Sequence, residues 1–288
     1  MWLIFALSSA FAVSLRNVFT RKLVFVTDND VLLFARYFIV VVLLLPALLI
    51  RPWPQVETAF YFAAPGAAFA ELFAYIAMFK AIRRGELGST FPLIAFTPIF
   101  MIATGYLILS ELPSAMGLIG IFAIVIGAYS LRIESLNGGP LAPIRALARE
   151  NAARYMLTAA FLFSFAAAFY KKAVIASSAP LALFAPQVIG VVLFTSYFIF
   201  TKRLPALRFQ ISKYRVGICL LGLAAFLESI GFIIAINMAL APYVISVKRT
   251  SILFTIILGF VVFREKYIIR SLLAGAIMLL GIFLIAIA

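Results

Sequence analysis

Apolar residues run along this chain in long blocks, broken by short clusters of charged residues, proline or glycine. A helix needs roughly 20 apolar residues to cross the hydrocarbon core of a bilayer, so each block is long enough to be one such helix. The breaks predict spans near residues 2–24, 31–50, 59–81, 88–109 and 114–131, then 154–173, 180–200, 214–240, 242–263 and 268–287. The expected fold is an all-α integral membrane protein of ten transmembrane helices. The one long connection, 132–151, holds Asn137, Gly138, Gly139 and Pro140 and a short basic stretch through Arg145 and Arg149, and it lies at the midpoint of the chain.

The parts on either side of that connection resemble each other. Residues 14–22, with Phe19 ahead of Arg21 and Lys22, match residues 164–172, with Phe169 ahead of Lys171 and Lys172, at an offset of 150. Ala68-Phe69-Ala70-Glu71 parallels Ala225-Phe226-Leu227-Glu228 at 157, and Gly105, Glu111 and Gly127 parallel Gly259, Glu265 and Gly281 at 154. Five is odd, so a second copy must enter the membrane with opposite orientation, the inverted-repeat plan of many secondary transporters. The expected units are a first five-helix repeat over 1–131, a connecting loop over 132–151 and a second, inverted five-helix repeat over 152–288.

Composition narrows the chemistry. Hydrophobic residues make up 66% of the 288 residues and charged ones 12%, with a mean hydropathy of +1.17, against about 25% charged residues in a soluble domain. Histidine is absent and Cys219 is the only cysteine, which removes disulfides, histidine metal sites, Ser-His-Asp triads and Cys-His dyads. The chain therefore does not read as an enzyme, and no cofactor or metal is expected. The formal charge of +14 sits on Lys and Arg residues that mostly flank apolar blocks, where they set topology and meet phospholipid headgroups rather than nucleic acid. The first block lacks a basic lead-in and a small-residue cleavage site and continues past Arg16, as a span does and a signal peptide does not.

Pro98, Gly105 and Glu111 mark the fourth block, and Gly117, Gly120 and Gly127 the fifth. With these residues the whole chain resembles the drug/metabolite transporter superfamily in its EamA-like form of two five-helix repeats. The second half repeats the pattern with Gly259, Glu265, Gly275 and Gly281, but Ile252 stands where a second proline would lie. Ser246-Val247-Lys248-Arg249 resembles, over a short stretch, the Lys-Arg pair in the ninth span of the triose-phosphate and nucleotide-sugar branch. The resemblance implies a transporter of small metabolites.

Six charges fall inside the blocks, where a charge at the bilayer centre costs about 2.5 to 3.5 kcal/mol and usually faces a cavity or a partner. At 1.5 Å per residue, Glu71 lies roughly 14 Å in from Lys80 and Glu228 roughly 20 Å in from Arg215, both near the midplane. Arg16 and Arg36 lie about 8 to 9 Å from the face reached after the first span, and Lys248 and Arg249 about 9 to 10 Å beyond Pro242, from the other face. Those depths pair Glu71 with Arg16 and Arg36, and Glu228 with Lys248 and Arg249. Snorkelling to headgroups is the alternative for the cations, and a purely structural bridge for the carboxylates.

Four cations against two carboxylates leave such a cavity net positive, so an anionic substrate is expected. Lys248, Arg249, Arg36 and Arg16 are the candidate substrate-binding residues, and Glu71 and Glu228 the candidate gating or coupling residues. Arg249 suits bidentate binding of a carboxylate or phosphate, and Lys248 acts as a point charge. Tyr75, Tyr106, Tyr170 and Tyr243 would admit an organic moiety. Pairing with cations argues against either glutamate as a standing proton carrier; exchange, facilitated diffusion and proton coupling stay open. Pro92, Pro98 and Pro186 permit kinks, Pro242 starts the ninth span, and Gly117, Gly120, Gly127, Ala274, Gly275 and Gly281 let helices approach closely.

The chain thus reads as a secondary active or facilitative carrier of a small organic metabolite, working by alternating access in the plasma membrane. Export of amino acids or of neutral or cationic metabolites is the alternative within the family, and a non-transporting membrane scaffold the alternative outside it. The expected partners are a small-molecule metabolite and membrane lipids, with a homodimer left open. Seventeen Lys and Arg residues fall in odd-numbered connections, and three, Arg51, Lys171 and Lys172, in even-numbered ones. The positive-inside rule then puts both termini outside the cytoplasm, against the family resemblance, which implies both inside; the charge bias is the larger signal.

Overall fold

A computed structural model describes residues 1–50, 54–84, 91–130, 150–263 and 269–288, and among these every regular element is helical. In chain order the first elements are α1 (Trp2–Leu23), α2 (Asn29–Ile50), α3 (Thr58–Arg84), a 3-10 segment (Phe91–Phe96) running into α4 (Thr97–Leu109), and α5 (Ala115–Ser130). After the midpoint come α6 (Asn151–Ile175), α7 (Ala179–Phe200), α8 (Leu204–Lys213), α9 (Arg215–Met238), α10 (Ala241–Lys248), α11 (Ser251–Phe263) and α12 (Ile269–Ala286). Six of them, α1, α2, α3, α6, α7 and α9, are long and apolar enough to cross a membrane, and shorter apolar helices accompany them. Among the described residues the fold is all-helical, and the length and composition of its helices are those of a multi-pass membrane protein. Arg51, Glu265 and residues 132–149 of the connecting loop lie outside the described residues.

The structure departs from the predicted spans in two ways. The fourth span, where Pro92 and Pro98 were expected to permit kinks, and the ninth, read as one helix from Pro242, are each broken. A helix of 13 residues such as α4 or α11 is about 20 Å long, short of a bilayer core of about 30 Å; the six-residue 3-10 segment before α4 and the eight-residue α10 before α11 supply about 12 Å more in each case. Pro98 sits in the first turn of α4, where its missing N–H costs nothing. The α10–α11 break has no proline at all. There the backbone tightens into i to i−3 bonds, with Arg249 N–H donating to Ser246 O at 3.0 Å and Thr250 N–H to Val247 O at 3.0 Å. Pro242 starts α10, as expected, while α7 continues through Pro186.

The second departure is α8, in what reads from sequence as a plain connection. Only Leu207 of its ten residues is buried. Its position is set by polar bonds to the α1–α2 turn: Gln210 Nε2 donates to Asp28 Oδ2 at 3.0 Å, Asp28 N–H donates to Gln210 Oε1 at 2.9 Å, and Arg203 Nη2 bridges to Asp28 at 2.6 Å.

In lipid, neighbouring helices gain little from hydrophobic association, so close packing of small residues decides which ones touch. α3 packs along α6 and α1 along α9. The α3–α6 seam is lined by Ala63, Ala64, Ala67, Ala74, Ala159, Ala160, Ala166 and Ala167, all buried, while Phe62 and Phe73 on the outer side of α3 remain exposed to lipid. α1 offers Ala6, Ser9, Ala10 and Val13 to α9, one stripe at helical spacing, and a Cβ at Gly231 would lie 2.8 Å from the Phe5 carbonyl. α2 packs on α7, where Gly190 accepts the ring of Tyr37.

α5 and α12 pack together, and Gly120, Gly127 and Gly281 permit close approach there, while Gly117 faces the ring of Tyr243 on α10. A Cβ on Gly120 would lie 2.7 Å from Gly281 O, and one on Gly281 would lie 2.7 Å from Gly120 O. Gly275 differs, because its nearest neighbour, Leu253, would be 3.6 Å away. Gly120→Val and Gly281→Val are therefore expected to lower stability by about 1–3 kcal/mol, read as an earlier thermal unfolding transition in detergent. Gly275→Ala should leave the transition within about 0.5 kcal/mol of wild type.

Candidate functional site between the two halves

Five helices, α1, α2, α3, α9 and α10, bring their charged residues to one cavity of about 100 Å³. Its wall includes Arg16, Arg36, Glu71, Glu228, Lys248 and Arg249. All six charges read from the sequence as lying inside spans thus face the same space. Apolar and aromatic side chains complete it, among them Tyr75, Phe163, Tyr170 and Phe232.

The carboxylates come from matching stripes. On α3, Ala64, Ala67, Glu71, Ala74 and Tyr75 are buried; on α9, Leu221, Ala224, Ala225, Glu228, Ser229 and Phe232 are. In each case the carboxylate takes the place of an apolar residue on the buried face. Arg36 Nη2 donates to Glu71 Oε1 at 2.7 Å, and Tyr170 OH donates to Glu71 Oε2 at 2.9 Å. Gln187 Nε2 donates in turn to the Tyr170 oxygen at 2.7 Å. Glu228 is gripped from both sides, by Arg16 Nε on Oε2 at 2.6 Å and by Lys248 Nζ on Oε1 at 2.9 Å.

The pairing of Glu71 with Arg16 expected from depth does not form. Arg16 crosses to Glu228 instead, because α1 lies along α9 and presents positions 9 and 16, two turns apart, on one face. Ser9 Oγ on that face donates to the Glu228 carbonyl at 2.8 Å. The expected pairs Arg36 with Glu71 and Lys248 with Glu228 do form. Aromatic faces cover the cations: the Arg36 guanidinium lies 4.7 Å from the centre of the Tyr75 ring and Lys248 Nζ 4.5 Å from that of Phe232, contacts that favour a desolvated cation.

Arg249 stands apart. It caps α10 at the helix break, lines the cavity, and among the described residues has no carboxylate partner; its Nε is buried without a hydrogen bond. Arg36 Nε and Nη1 and Gln187 Oε1 are buried without partners as well. Buried polar atoms are normally satisfied, so the wall of this cavity carries hydrogen-bonding capacity that the protein does not use. Of the tyrosines expected near a substrate, Tyr75 and Tyr170 line the cavity. Tyr106 is exposed, and Tyr243 lines a separate groove with Trp2, Ser114 and Ala286.

Gln187 escaped the sequence reading, as did the part played by Tyr170. A lone glutamine in the apolar 180–200 block was the available signal, since a polar amide facing lipid is costly.

These pairs are buried, and removing one partner of a buried pair leaves an uncompensated charge at a cost of about 3–5 kcal/mol. Arg36→Met is expected to destabilise by that order, and the double variant Arg36→Met with Glu71→Met to recover most of the loss. Thermal unfolding of the single and double variants in detergent checks the difference.

No curated protein matches the chain. Among solved structures, one crystal structure aligns with 99% of this chain and 97% of its own, with a TM-score of 0.74 at 11% identity, a likeness of fold alone. Residues 1–133 match the model of the EamA-like transporter family, a stretch that includes Arg16, Arg36 and Glu71 of the cavity wall.

Proposed function

We propose that the protein is an alternating-access carrier of a small organic anion, built from two inverted five-helix repeats whose ten spans enclose the charged cavity. The spacing of the helices supports the repeat. α2 and α7, 22 residues each, start 150 residues apart, and α4 and α11, 13 residues each, start 154 apart. α5 and α12 also start 154 apart, and α3 and α9 157 apart. The packing supports it too, because α1 on α9 has its counterpart in α6 on α3, and α4 on α6 in α11 on α1. Interrupted helices at matching positions in two halves are the usual sign of a transporter's central site, and here the two interruptions are those before α4 and α11.

The observation that carries the anionic reading is Arg249. Two carboxylates occupy Arg16, Arg36 and Lys248, leaving a fourth cation in a cavity that is net positive. A solute with a carboxylate or phosphate would supply the missing charge, accepting from Arg249 and drawing Lys248 away from Glu228. Tyr75, Phe163 and Phe232 would receive its organic part. Glu71 and Glu228 would then act as internal counter-ions that hold the empty cavity together and exchange partners as the solute arrives. The basic face, where α1, α3, α7 and α11 end, is the cytoplasmic one in this reading, and the plasma membrane the expected location.

Uptake into proteoliposomes tests it. Lys248→Gln and Arg249→Gln are each expected to reduce uptake of a transported anion about thirtyfold or more, with monodisperse elution retained. Full transport by the double variant would overturn the assignment, and transport only of amines or neutral solutes would overturn the anionic class.

A further inference from the structure

A further buried ion pair lies away from the cavity, at the face where α4, α6 and α9 end and α10 begins. Lys171 pairs with Glu111, and each partner also closes a helix end. Lys171 Nζ donates to Ala239 O, just past α9, at 2.7 Å. The N–H of Ala241, the first residue of α10, donates to Glu111 Oε2 at 2.8 Å. A cation therefore sits on a helix C-terminus and a carboxylate on a helix N-terminus, the arrangement that helix dipoles favour.

The seam continues around this clasp. Ser114 N–H donates to the Tyr243 hydroxyl at 3.0 Å, and Glu57 N–H donates to Ala176 O at 2.9 Å. Trp2 and Ala286, close to the two chain ends, line the groove beside it with Ser114, Leu240 and Tyr243. The clasp also connects to the cavity through two short paths. α10 is held by Glu111 at Ala241 and by Glu228 at Lys248, about 10 Å along the same helix. On α6, Tyr170 binds Glu71 in the cavity while its neighbour Lys171 binds the clasp. At the offsets of 150 and 154 the sequence places Arg21 and Glu265, so the same residue types recur in the other half.

We propose that the Lys171–Glu111 clasp is the gate on the face shared by the chain ends, and that its release opens the cavity to that face. The gate presupposes the carrier reading above. Lys171, which sequence alone assigns to a loop charge, is on this account a residue of the transport path, with Glu111 as its partner and α10 as the element that swings.

The test needs no substrate. Cys219, exposed on α9, is replaced by Ser, and Ile245→Cys on the cavity wall of α10 serves as the reporter. A membrane-impermeant maleimide is applied to sealed, uniformly oriented vesicles from the face marked by a tag on a chain end. Lys171→Gln and Glu111→Gln are expected to raise the labelling rate at least about tenfold, while Lys171→Arg stays slow. The charge swap Lys171→Glu with Glu111→Lys should also label fast, because it restores the pair but sets each charge against the wrong helix end.

A parallel set that keeps Cys219, near the opposite end of α9, in place of the reporter and is labelled in vesicles of the opposite orientation should label at the wild-type rate, which separates opening from unfolding. Unchanged labelling of Ile245→Cys in both Gln variants would overturn the gate. A swap that labels as slowly as wild type would overturn the role of the helix ends. Failure of the wild-type protein to carry any anion would overturn the carrier reading instead.

Discussion

Everything in this fold is arranged around two carboxylates that have to be neutralised in the middle of an apolar bundle. Glu71 and Glu228 sit on the buried stripes of α3 and α9, each held by a cation from a different helix. Such bridges are weak evidence for stability, since well-packed apolar residues of similar volume often do as well or better. What they supply is position. Glu228 draws together α1, α9 and α10, and Glu71 draws together α2, α3, α6 and, through Tyr170, Gln187 of α7. With both carboxylates engaged, Arg249 is the cavity cation left without a carboxylate partner among the described residues.

The second constraint is that a bilayer offers no partner to a free backbone group, so irregular backbone is tolerated only where protein or an aqueous cavity surrounds it. Both breaks obey this. The 3-10 segment before α4 puts Ile94 on the cavity wall, and the tight turn after α10 puts Arg249, Ser251 and Ile252 there. A break at Arg249 also aims the cation at the cavity from a helix end instead of along a helix side. The gain in positioning and the loss of regular hydrogen bonding thus occur at the same few residues.

Hydropathy made the spans legible because lipid imposes one composition on every crossing helix; nearly all predicted boundaries fall within a few residues of those seen. The in-membrane charges were legible for the same reason, since Arg36 or Glu228 cannot be there without a partner. Pairing was less so. Rise along a helix fixes depth but not which neighbour a face meets, and Arg16 went to Glu228 because the small-residue stripe Ala6, Ser9, Ala10 and Val13 lays α1 against α9. The α10–α11 break was hidden by the lack of a proline at Ile252, and α8 by having Leu207 as its one buried residue. Lys171 looked like a loop charge beside Lys172, and only the position of Glu111 and the end of α9 shows that it is buried.

The central claim is that this cavity, with four cations against two carboxylates, is short of negative charge. Equilibrium binding to the purified protein of a matched set, a small carboxylate with its amide and amine isosteres, measures that directly. The carboxylate should bind and raise the unfolding temperature, the amide and amine should not, and Arg249→Gln should remove the effect. Binding of the amine as tightly as the carboxylate, or carboxylate binding indifferent to Arg249, would contradict the account.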